Sequence, residues 1–74
     1  MNTTKKVWLG THPEACELCD GDFHDNTFVD GKTDLGVWGI MCHGCHVTHG
    51  EGLGLGKGQQ YTKQDDGSWV KTGG

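Results

Sequence analysis

Apolar residues fall in short patches along this chain, and nowhere do they repeat at a helical period for long. Val7-Trp8-Leu9 is the first patch and predicts a short edge strand, after which His12-Pro13 blocks any helix. From Phe23 to Met41 the pattern predicts a β-hairpin. Thr27-Phe28-Val29 is β-prone, Asp30-Gly31 suits a type I′ turn, and Leu35 to Met41 is an apolar return strand. Gly36 and Gly39 within that strand mark a bulge or a close backbone approach. His46-Val47-Thr48-His49 predicts one helical turn, ended by Gly50 in a left-handed cap. Glycine at positions 50, 52, 54, 56 and 58 forbids a longer helix. Gln59 to Thr72 predicts a second hairpin turning at Asp66-Gly67, with Tyr61, Trp69 and Val70 covering part of the core. The organisation read from this pattern is a lead-in or edge strand over 1–13, a four-cysteine domain over 14–50, a glycine-rich loop over 51–58, and a C-terminal hairpin over 59–74 packed on the same domain.

Composition changes that picture in one respect. The chain has 74 residues, of which 14 are glycine and 32% are hydrophobic. Ordering each residue costs about 1.5 kcal/mol, so a core this small calls for a staple. No apolar run approaches the roughly 20 residues of a membrane-spanning helix. Met1 to Leu9 lacks the apolar core of a secretory signal, so the expected compartment is the cytoplasm.

The cysteines supply the staple. Cys16-x-x-Cys19 and Cys42-x-x-Cys45 are separated by 22 residues. Two thiolates two residues apart reach one ion from a tight backbone knuckle, and two knuckles joined by a hairpin complete a four-sulfur tetrahedron. The expected ligands are therefore Cys16, Cys19, Cys42 and Cys45, holding one structural Zn2+, with iron in a rubredoxin-like site as the alternative. Disulfides fit poorly, since no secretory signal is visible and disulfide scaffolds are denser in cysteine. His46 and His49 follow Cys45 closely enough to be substitute ligands. His43 is expected to face solvent, His12 to be a surface residue, and His24 to lie near enough to the first knuckle to hydrogen-bond it. Cys42-His43-Gly44-Cys45-His46 also fits the c-type haem pattern, but that leaves Cys16 and Cys19 unexplained. A dithiol redox centre lacks its βαβ context.

The run Gly50 to Gly58 fails as a phosphate loop. Glu51 stands where the first glycine belongs, and Gly58 replaces the hydroxyl residue after Gly56-Lys57. Its glycines read as an irregular connection, with Leu53 and Leu55 tucked onto the core. Charge then narrows the partners. The net charge is −4, all six basic residues are lysine, and residues 14–34 alone carry −6. Without a basic stripe or arginine, duplex recognition is disfavoured. The acidic segment instead offers Glu14, Glu17, Asp20, Asp22 and Asp25, together with Lys57 of the loop, as candidate contacts for a protein partner.

The two cysteine pairs flanking a hairpin resemble the zinc-ribbon and treble-clef group, which implies a small metal-stapled β-rich fold: two hairpins with at most one short helical turn. Phe28-Val29-Asp30-Gly31-Lys32-Thr33, Gly36-x-Trp38, Met41-Cys42-x-x-Cys45-His46 and Gly52-Leu53-Gly54-x-Gly56-Lys57-Gly58-Gln59-x-Tyr61 are similar to small uncharacterised bacteriophage-encoded proteins. That resemblance implies phage origin and expression in host bacterial cytoplasm, and brings no activity with it. The Cys42 to His46 ending also resembles HNH nucleases, but Gly31 stands where a catalytic histidine would follow Asp30, and only His49 could serve as the second metal-binding histidine. The function expected is thus a non-catalytic structural-zinc module engaging a host or phage protein. The alternatives are a nucleic-acid accessory factor that binds single strands through Lys57, Lys63 and Lys71 beside Tyr61 and Trp69, and a degenerate HNH-like nuclease.

Overall fold

A computed structural model describes residues 6–23 and 25–74. Four antiparallel strands form one sheet in the order β2-β1-β3-β4, where β1 is Thr27–Lys32, β2 Trp38–Met41, β3 Gly58–Lys63 and β4 Trp69–Gly73. One helix, α1 (His43–His49), follows β2. The small β-rich fold read from the sequence is the one observed, and the two hairpins share a sheet because β1 pairs with β3.

The first hairpin turns later than Asp30-Gly31. Gly31 lies inside β1, opposite Gly39 on one side and Gly58 on the other. A Cβ there would meet the Lys57 carbonyl oxygen at 2.9 Å and the Gly58 Cα at 3.2 Å, so glycine is required for close packing of strands and not for a turn. The reversal is built instead by buried Thr33. Its N–H and hydroxyl both donate to the Val37 carbonyl, at 2.9 and 2.8 Å, and Gly36 completes it at φ +86°. The pairing of β1 with β2 runs without a register shift, so the bulge expected at Gly36 or Gly39 is absent. The second hairpin turns where expected, with Gly67 at φ +89°.

Helix α1 is longer than one turn. It begins inside the second cysteine pair, with Cys42 as its N-cap residue. Gly50 ends it in an extended conformation, φ −81°, and not in a left-handed cap. Glycine is needed there because a Cβ would lie 2.7 Å from the His46 carbonyl oxygen and collide with the His46 ring.

The strand alternation sorts the core onto two faces. One carries Phe28, Tyr61 and Trp69, closed by Trp8, Phe23 and Ile40. Phe28 is central, 4.7 Å from Trp69 and 5.2 Å from Tyr61 between ring centroids. The lead-in brings Trp8 there by running along β4: Val7 bridges Val70, the Trp8 N–H donates to Trp69, and Lys71 donates back to Lys6. The expected edge strand is therefore a single bridge over its described part, and Leu9 stays exposed. On the other face Val29 and Met41 are buried beside α1. Leu55 is 97% exposed and Leu53 only partly covered, so the expectation that both tuck onto the core fails. Gly52, Gly54 and Gly56, all at positive φ, carry that loop outward.

Candidate metal centre

Local structure prepares each knuckle. In the first, the Asp20 N–H donates to the Cys16 carbonyl at 2.8 Å and the Cys16 N–H to the Gly21 carbonyl at 2.9 Å, with Asp20 in the left-handed region at φ 62°. This tight loop turns both sulfurs the same way. In the second, Cys42 caps α1 and Cys45 sits in its first turn. Glu17 docks one knuckle on the sheet: its N–H donates to the Ile40 carbonyl and its carboxylate accepts the Ile40 N–H, both at 2.8 Å.

The result is a cluster of four sulfurs, from Cys16, Cys19, Cys42 and Cys45, all within 4.8 Å of one another. Cys19 and Cys42 are 3.8 Å apart at sulfur, far beyond a disulfide bond of about 2.05 Å. Zinc–sulfur bonds of about 2.3 Å in a tetrahedron place sulfurs about 3.8 Å apart, so the donor set suits a soft divalent cation in both number and size. Cys16 is buried, Cys42 and Cys45 are half-buried, and Cys19 is exposed.

The thiols influence one another's protonation. Burial opposes ionisation of Cys16, but the N–H groups of Cys42, Cys19 and Leu18 and the thiol of Cys45 together outweigh it and lower this thiol to about 6. Burial and the three other sulfurs push Cys45 well above the ordinary thiol range. The Gly21 N–H favours the Cys19 thiolate, yet the sulfurs of Cys16 and Cys42 leave it raised. Cys16 ionises readily while Cys19 and Cys45 resist, because crowded thiolates repel unless a cation joins them. The cluster can hold a metal ion.

His46 and His49 do not join it. His46 Nε2 lies 3.1 Å from the Gly52 carbonyl, and His49 Nδ1 is 3.1 Å from the Asp34 carboxylate. Both substitute ligands are thus engaged elsewhere, tying α1 to the glycine-rich loop and to the β1–β2 turn. His43 and His12 are exposed, and His24 lies outside the described residues. The acidic candidates Glu14, Glu17, Asp20, Asp22 and Asp25 are all exposed along the first-knuckle segment, as is Lys57 in its separate loop. Of these, Glu17 already spends its carboxylate on Ile40. Tyr61 and Trp69 are each only 4% exposed, so the rings that single-strand stacking requires are core residues. Gly31 is enclosed between two strands, and His49 is paired with Asp34.

The clamp at Glu17 and the closing of the turn by Thr33 carry no motif in the sequence. The only signal for Glu17 was its place between the two cysteines of a knuckle that must rest against something. Compared with known proteins, the chain matches no family model, no curated protein and no solved structure. Among the described residues, no helix is long and apolar enough to cross a membrane.

Proposed function

We propose that this chain is a structural-zinc binding module, phage-encoded and acting in the bacterial cytoplasm, whose role is to engage a host or phage protein. The observation that carries the zinc reading is the convergence of four thiols, drawn from two knuckles, on one point. With Cys16, Cys19, Cys42 and Cys45 as ligands, every position of a tetrahedral zinc is filled by sulfur, and no position remains for water or substrate. Such an ion would contribute folding free energy and no chemistry, which is why the module is read as non-catalytic.

Support for the metal as staple comes from α1. Its seven residues include none that is buried, and isolated helices shorter than about 12–15 residues are marginal in water. Support for a protein partner comes from the exposed acidic residues Glu14, Glu17, Asp20, Asp22 and Asp25 and the absence of arginine. Metal analysis of protein purified without added metal tests the reading, with one zinc per chain expected. A red ferric thiolate spectrum would assign iron instead, and a chain free of metal that remains folded would overturn the module altogether.

A further inference from the structure

Strand β2 is an outer strand of the sheet, and its outward side is only half used. At Ile40 that edge is closed, because Glu17 takes both the N–H and the carbonyl. Two residues earlier, the alternation of an antiparallel ladder turns the N–H and carbonyl of Trp38 to the same side. The residue opposite agrees with this: the Lys32 N–H donates away from β2, to the Lys57 carbonyl at 2.8 Å. No described residue takes the two backbone groups of Trp38.

Apolar surface that the fold does not use surrounds this gap. Leu35 is 79% exposed, and Val37, Trp38 and Leu18 all reach solvent. Leu18 and Leu35 face one cleft of about 200 Å³, completed by Thr33, Asp34 and His49. Asp34 lies in the cleft wall and Glu17 precedes Leu18, within the segment that carries −6. Open backbone groups call for another strand, the cleft for an aliphatic side chain, and the acids for a cationic ligand.

We propose that the β2 edge receives an extended, lysine- or arginine-bearing segment of a partner protein as an added strand, with one aliphatic side chain in the Leu18–Leu35 cleft. Pairing with Trp38 fixes the strand's register, and the net −6 of residues 14–34 attracts its charges. A net charge of −4 on each chain opposes a second copy as occupant. Glu17 sets the length: by closing the edge at Ile40 it stops pairing from extending further, a device that also protects against uncontrolled edge-to-edge association. The inference rests on the protein-binding reading given above and names the chemistry of the partner.

The test uses the full metal-loaded chain and a panel of short fluorescein-labelled peptides. In each, lysines flank a central aliphatic residue that varies across the panel, and binding is read by anisotropy. Saturable micromolar binding is expected for at least one peptide. Leu35→Lys, at an exposed position, should weaken it by about tenfold or more, the scale of one interface hot spot. N-methylation of the peptide's central amides should abolish it, and so should exchange of its lysines for glutamates. Circular dichroism and metal content establish that the variant is folded. Equal binding by wild type and Leu35→Lys, or indifference to N-methylation, overturns the edge while leaving a protein partner standing. No binding across the panel also overturns the edge. If in addition the chain binds single-stranded DNA with a steep salt dependence that Leu35→Lys leaves unchanged, the protein-binding reading itself fails.

Discussion

The aromatic cluster and the sulfur cluster hold this chain in different ways. The first joins the lead-in, β1, β3 and β4 through rings packed around Phe28, each contact small and the sum large. The second joins the first knuckle to the β2–α1 junction through four sulfur atoms, with Val29 and Met41 buried beside the helix. Rings can be lost one at a time with graded cost. A tetrahedral centre is closer to all-or-none, because crowded thiolates that do not share a cation repel. What the contrast teaches is that a glycine-rich sequence can concentrate its aromatic residues on one side while gathering four sulfurs able to hold a metal ion on the other.

The severest way to break this asymmetry is at the sulfur side. Cys16→Ser should abolish stoichiometric metal binding and with it the folded state, since structural zinc supplies about 10–16 kcal/mol in small peptides. Metal analysis and circular dichroism of the same sample check both at once. On the aromatic side, Phe28→Ala should cost about 3–5 kcal/mol, read as a lowered Tm while the bound metal stays at one per chain if any folded protein remains. Glu17→Ala tests the joint between the two sides, where one charged hydrogen bond to Ile40 is lost. A destabilisation of about 1 kcal/mol is expected in denaturant melts.

The smallest effect concerns Asp30, on the aromatic face between Ile40 and Gln59. Burial, then the nearby Glu17 carboxylate, raises its pKa, while Lys6 partly offsets them. A raised carboxyl pKa means that the charged form costs the folded state stability. That penalty is complete above the raised value and vanishes as pH falls toward the ordinary value of about 4. Asp30→Asn should therefore raise Tm slightly and uniformly from pH 6 to 8, and the difference between the two proteins should narrow on acidification. Paired thermal melts at each pH check it.

Much of this was legible in the sequence, and the reasons for the exceptions are physical. The cysteine spacing announced the cluster, and Asp66-Gly67 announced its turn, because both signals are local. Asp30-Gly31 is the same dipeptide signal and is wrong, since Gly31 is demanded by the close approach of β3, a partner remote in sequence. His46 and His49 had the right spacing for ligands, yet a helix that starts at His43 turns them toward the Gly52 carbonyl and Asp34. Glu17 was read as a free surface acid because nothing in its neighbours reveals that Ile40 lies opposite. Local chemistry was readable, and whatever depended on which strand lay across from which was not.

The central claim is that a metal ion between the two knuckles holds the domain together. The direct measurement is chelator titration of the native chain, with bound metal and far-ultraviolet circular dichroism followed together. The account predicts that ordered structure disappears as the metal leaves and returns when one equivalent of zinc is restored. A spectrum unchanged after complete metal removal would contradict it.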